Sequence, residues 1–116
     1  MEKEVTFFHR SGSYSADYTP LWQRYRCYGV QATTQTVAAD NGGSRENRLT
    51  LTLWEHGMRL VNEDGVTVCW DETGIGPGDL VVCGNVAEPG HNAWRIRSVT
   101  AQGRLGMVRG YVLVAE

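Results

Sequence analysis

Cys27, Cys69, Cys83, His9, His56 and His91 are the side chains of this sequence most able to ligate a metal or form a nucleophile pair. A tetrahedral zinc site is usually signalled by close-set ligands, such as C-x-x-C or H-x-x-x-H. No two of the six stand at such a spacing, so zinc would need ligands brought together from distant strands. An odd number of cysteines, widely spaced, is also a poor disulfide framework. Each cysteine lies in an apolar or strand-like run: Arg26 to Val30, Val66 to Trp70, and Leu80 to Gly84. That context reads as free thiols buried in a reducing cytoplasm. A Cys–His pair stays open in principle, because such partners meet in space and not in sequence.

Gly74-Ile75-Gly76-Pro77-Gly78-Asp79 has the glycine density of a phosphate-binding loop. Such a loop works by opening a helix whose N–H groups face the anion. Here Leu80 to Cys83 follows as a strand-like run, and Pro77 removes a donor, so a tight turn is expected. Neither a Walker Lys-Ser/Thr pair nor a G-x-S-x-G elbow occurs. The adjacent carboxylates Glu63-Asp64 and Asp71-Glu72 would face opposite ways on a strand, so neither pair is preset for acid–base work. Nothing in these patterns implies an enzyme, a cofactor or a small-molecule substrate.

The basic residues say more. Ten of the eleven are arginine, and Lys3 is the exception. Guanidinium groups form bidentate pairs, stack on aromatic rings and are enriched at interfaces. Arg24 and Arg26 flank Tyr25 near Trp22, and Arg95 and Arg97 follow Trp94, an arrangement open to stacking on RNA bases. Thirteen carboxylates offset this charge and no basic block forms, which favours protein–protein contact over nucleic-acid binding.

The elements that must position these residues are strands. With 116 residues the chain has the length of one domain, 1–116, able to bury a core without staples. Fourteen glycines, with 41% hydrophobic residues, point to a turn-rich β protein. No apolar run reaches the roughly 20 residues of a helical membrane span. The opening Met1-Glu2-Lys3-Glu4 lacks the apolar core of a signal peptide, so a small soluble protein is expected.

Strands are expected over Glu4 to Arg10, with both faces partly covered, and over Arg26 to Thr36. Pro20 to Arg26 fits either one helical turn or a direct lead into a strand. Leu49, Leu51 and Leu53 alternate with Thr50 and Thr52, the cleanest strand pattern of the chain, whose expected partner is the second strand. Between them Asp40 to Asn47 is the most polar stretch, predicting a projecting, mobile loop at about 40–48. Met58 to Trp70 reads as a small hairpin turning at Asp64-Gly65. Leu80 to Cys83, Trp94 to Thr100 and Val108 to Ala115 complete the set, and the broken alternation at Trp94, Ile96 and Val99 suggests a bulge. The expected fold is mainly β: a small antiparallel β-barrel or sandwich of about six to eight strands, with at most a short helical turn.

The order of these signals resembles the head–tail connector proteins of tailed bacteriophages, also called head-completion, head–tail joining or minor capsid proteins. The residues that carry the resemblance are Val5 to His9, Trp22, Tyr28-Gly29-Val30, the polar loop, Leu49 to Leu53, Gly78 to Gly84, Trp94 to Val99 and Tyr111 to Val114. The resemblance implies a structural virion protein, assembled in the bacterial host cytoplasm, whose copies form a ring that seals the head and docks the tail. Its partners would be copies of itself and other connector or tail proteins, with passive contact to DNA in the channel and none to a membrane. Asn41, Gly42, Arg45, Glu46 and Arg48 would then form the subunit interface, ordering on assembly. The alternative is a free-standing small β-barrel that binds nucleic acid or peptide.

Overall fold

The computed structural model describes residues 2–14, 20–38, 45–55, 57–86, 90, 93–104 and 107–116. Seven strands and one helical turn follow in order: β1 (Glu2–Tyr14), β2 (Pro20–Ala38), β3 (Arg45–Trp54), β4 (Arg59–Val61), α1 (Trp70–Thr73), β5 (Leu80–Cys83), β6 (Trp94–Arg104) and β7 (Met107–Ala115). All ladders are antiparallel. The sheet runs β1-β5-β6-β7-β3-β2 and returns to β1, so six strands close into a barrel, and β4 is an extra strand on β2.

The alternating leucines of β3 seed the core: Leu49, Leu51 and Leu53 are almost completely buried. They meet Val5 and Phe7 of β1, Val30 of β2, Val81 of β5, Ile96 of β6 and Leu113 of β7. Burial of a leucine of this kind contributes about 1.5–3 kcal/mol. The outer face of β1 is covered as well. Thr6 is fully buried. Its hydroxyl donates to the Gly84 carbonyl at 2.6 Å and accepts from the Val86 N–H at 3.3 Å.

β2 changes partners along one edge. Gln31–Ala38 pairs with β3, while Arg26–Tyr28 pairs with β4. Gly29 sits at the changeover with φ +76°, and its Cα faces the Gly57 carbonyl so closely that a side chain would collide with it. The turn that brings Gly57 there is held by Trp54, whose carbonyl accepts from the N–H groups of Gly57 and Met58, both at 2.9 Å.

Of the two forms expected for Pro20–Arg26, the strand is the one adopted: it is continuous with β2, and its backbone completes the β1 ladder as far as Tyr14↔Pro20. Other expectations meet a different outcome. The polar loop is shorter than 40–48: Arg45–Arg48 belong to β3, opposite Gln35–Ala38. The strand propensity of Thr33, Thr34, Thr36 and Val37 extends the ladder past the barrel and outweighs the polarity of the opposing residues. The hairpin at Met58 to Trp70 forms its turn, with the Asn62 carboxamide accepting from the N–H groups of Asp64 and Val66 at 2.9 and 3.0 Å. Its second limb makes only the bridge Val61↔Thr67 and does not become a strand. Val66, at the start of that limb, is exposed. Trp70 instead starts α1, which drives its indole into the core. The bulge in β6 lies between Ile96 and Ser98.

Candidate functional site

Beyond the last β3–β7 pair, Leu49↔Ala115, four more residue pairs join β2 and β3, from Gln35↔Arg48 to Ala38↔Arg45. β1 has already left β2 at Glu2↔Gln31. Among the described residues no strand borders either outer edge of this segment, so it is a two-stranded arm projecting from the barrel. Four pairs at strand rise give it about 13 Å of length. Arg45, Glu46 and Arg48 lie on the arm; Asn41 and Gly42 lie outside the described residues. Arg48, at the arm's root, is tied to its own chain. Its Nη2 donates to Glu116 at 3.3 Å, and Arg97 Nε lies 3.5 Å from the other Glu116 oxygen. The Glu116 backbone exchanges both hydrogen bonds with Arg95 at 2.9 Å. Arg48 therefore helps fasten β3 to the ends of β6 and β7.

A second cluster gathers at the turn into β5. Asp79 is buried, and one of its oxygens accepts from the Gly76 N–H at 2.9 Å and contacts His9 Nδ1 at 2.8 Å. The other accepts from the Arg10 N–H at 3.2 Å. The glycine-rich segment is thus a turn, as its sequence predicts, built around a carboxylate that holds β1. Among the described residues no group of three His, Cys, Asp or Glu side chains could hold a metal ion.

The thiols divide. Cys27 is buried, and burial pushes its pKa up to about 12. Cys69 and Cys83 are exposed, contrary to the expectation of three buried thiols. Cys83 is the last residue of β5, and Cys69 immediately precedes α1.

The chain matches no family model, and no curated protein or solved structure matches it.

The aromatic–arginine segments separate by face. Tyr25 and Trp94 pack against the core, while Arg95 and Arg97 point outward. Arg24 donates from Nη1 to the Val86 carbonyl at 3.3 Å. These rings contribute to the barrel wall, which leaves little aromatic surface beside the arginines for base stacking.

Among the described residues, a concavity lies elsewhere, between α1, the turn after β3, and β7. It has a volume of about 330 Å³ and is lined by residues including Glu55, Met58, Cys69, Trp70, Asp71 and Tyr111. Trp70 forms its floor. Its ring meets Phe7 edge-on at 5.5 Å and stacks on Tyr111 at 5.2 Å with 29° between planes. The Tyr111 hydroxyl donates to Asp71 at 3.2 Å. Desolvation, that hydrogen bond, and the negative charges of Asp71 and Glu55 raise the Tyr111 pKa. Sequence patterning did not single out this cleft. Tyr111 and Asp71 stand 40 positions apart, and no local pattern links them. The only local signal was Trp70 beside the acidic pair Asp71-Glu72.

Proposed function

We propose that this chain is a structural virion protein of a tailed phage or prophage, acting in the head–tail connector as a ring-forming subunit. The observation that supports this reading is the two-stranded arm at Gln35–Ala38 and Arg45–Arg48 on a closed barrel. A barrel abolishes sheet edges, whereas the arm restores two of them, away from the core. Exposed strand edges pair readily with another chain through main-chain hydrogen bonds. A rigid body carrying a projecting arm suits head-to-tail contact, which closes into a ring when the rotation between copies allows it. An arginine-rich surface balanced by carboxylates supplies complementary charge for such contacts. The test is electron microscopy of lysates from the encoding phage or prophage with this gene disrupted. DNA-filled or leaking heads separated from finished tails are expected, and intact infectious particles would overturn the proposal.

A second reading, a free-standing barrel that binds a peptide, draws on the acidic aromatic cleft at Trp70 and Tyr111. It predicts peptide binding by the isolated monomer, without ring formation.

A further inference from the structure

We propose that the cleft between α1 and β7 receives an arginine side chain presented by a partner protein. The inference rests on the cleft itself and holds whether or not copies of this chain form a ring. Its lining carries two carboxylates, Glu55 and Asp71, and neither lysine nor arginine among the described residues. Both carboxylates belong to exposed residues, so their oxygens are accessible to a cation at the rim. Asp71 spends one oxygen on the Tyr111 hydroxyl and keeps the other for a second donor. The floor is aromatic and fixed: Trp70 is wedged between Phe7 and Tyr111 and is only 7% exposed. Met58 adds a polarisable, apolar wall.

This combination discriminates among ligands. An anion is repelled by both carboxylates. A neutral apolar side chain would leave those carboxylates partly desolvated with no partner. A cation gains from both carboxylates and from the ring of Tyr111, which lines the cleft and is partly exposed. Among cationic side chains, the planar guanidinium both stacks on an aromatic ring and makes two parallel hydrogen bonds to a carboxylate, while its three-carbon stem lies along apolar wall. An ammonium is more strongly hydrated and offers only a point charge.

The experiment uses the full chain and three doubly capped amino acids: N-acetyl-argininamide, N-acetyl-lysinamide and N-acetyl-citrullinamide. Citrulline keeps the shape of arginine and removes its charge. Binding is followed by amide and indole NMR shifts, with alkylation of Cys69 in a Cys83→Ser background as a second readout, because Cys69 lines the cleft. Millimolar capped arginine is expected to shift the Trp70 indole and the amides around Asp71, and to slow alkylation of Cys69. Asp71→Asn and Glu55→Gln are exposed changes and should each weaken binding about 2- to 5-fold. Absence of any arginine-dependent shift would overturn the proposal. So would equal binding of citrulline, which makes the cleft a shape site, or of lysine, which makes it a general cation site. Shifts of the same resonances with protein concentration alone, lost in Asp71→Asn, would assign the cleft to a second copy of this chain and overturn the separate partner.

Discussion

Asp79 reaches across from the turn before β5 to His9 of β1, carboxylate oxygen to Nδ1 at 2.8 Å. The same carboxylate accepts backbone N–H groups from Arg10 and Gly76, so one side chain ties the first strand to a glycine-rich turn 69 to 70 positions away. Buried hydrogen bonds are costly to break from one side only, because the stranded donors lose water as well as their partner. The β1–β5 ladder beside it has only four residue pairs, Val5↔Cys83 to Phe8↔Leu80. The carboxylate therefore reinforces a short seam of the barrel.

Asp79→Ala should lower stability by about 2–4 kcal/mol, through the loss of three part-buried hydrogen bonds. Asp79→Asn keeps the shape and one acceptor oxygen and should cost less. Urea unfolding checks the order. Equal midpoints for all three proteins would mean that the seam is held by strand pairing alone.

Gly29 and Gly65 separate two effects that glycine substitutions usually mix. Both have positive φ, +76° and +79°. At Gly65 nothing lies within 4 Å of the position a Cβ would take. At Gly29 the Gly57 carbonyl occupies that position. Gly65→Ala should cost about 1–2 kcal/mol, the strain of a left-handed alanine. Gly29→Ala should cost more than about 3 kcal/mol, because backbone must also move. Thermal melts of the two variants test the difference, and similar losses would show that β2 can straighten at its change of partner.

The β-barrel was legible because β3 obeys a two-residue period without interruption, and Leu49, Leu51 and Leu53 can face only one side. Arg45–Arg48 were harder to place. Their polarity marks a solvent-facing segment, and a solvated arm and a loop share that composition; only the Thr- and Val-rich opposing strand distinguishes them. The β-rich composition of Val66 to Trp70 predicts the second limb of a hairpin ending at Trp70. Composition makes a strand only where the pairing continues, and here it stops at the single bridge Val61↔Thr67 before Trp70 enters α1. The buried role of Asp79 and the meeting of Trp70 with Tyr111 are tertiary facts, set by barrel closure, and carry no local signature.

Burial that raises the Cys27 thiol to about 12 sets its chemistry and its linkage to stability. At pH 8 about one Cys27 in ten thousand would be thiolate, so iodoacetamide should modify Cys69 and Cys83 while sparing Cys27 in the native protein. The unfolded chain loses this proton near 9.0, and the folded chain keeps it to about 12. The folded state binds more protons between those values, so the contribution is intact below pH 9 and is lost as pH rises toward 12. Stability should therefore fall by up to about 1.4 kcal/mol per pH unit in that window. Cys27→Ala should flatten the slope, whatever it does to the absolute value. Denaturant midpoints at several alkaline pH values measure it, and an unchanged slope would assign the alkaline loss to groups other than Cys27, Tyr111 with its raised pKa among them.

The arm allows assembly and folding to be separated. Arg45 and Glu46 stand beyond the last β3–β7 pair, so neither position supports the barrel ladder. Arg45→Ala with Glu46→Ala should leave the melting temperature close to that of the parent protein. In the proposed ring it should abolish association of copies and, in the phage, leave heads without tails. Arg48→Ala is the informative contrast. Its guanidinium bonds to Glu116 within the same chain, at a site partly open to water, so its loss should cost less than about 1 kcal/mol. If Arg48 serves mainly to fasten β3 to the ends of β6 and β7, Arg48→Ala should impair assembly less than the Arg45/Glu46 pair. Sedimentation velocity of purified protein, together with particle counts by electron microscopy, compares the two. Normal assembly in the double variant would remove the arm from the interface.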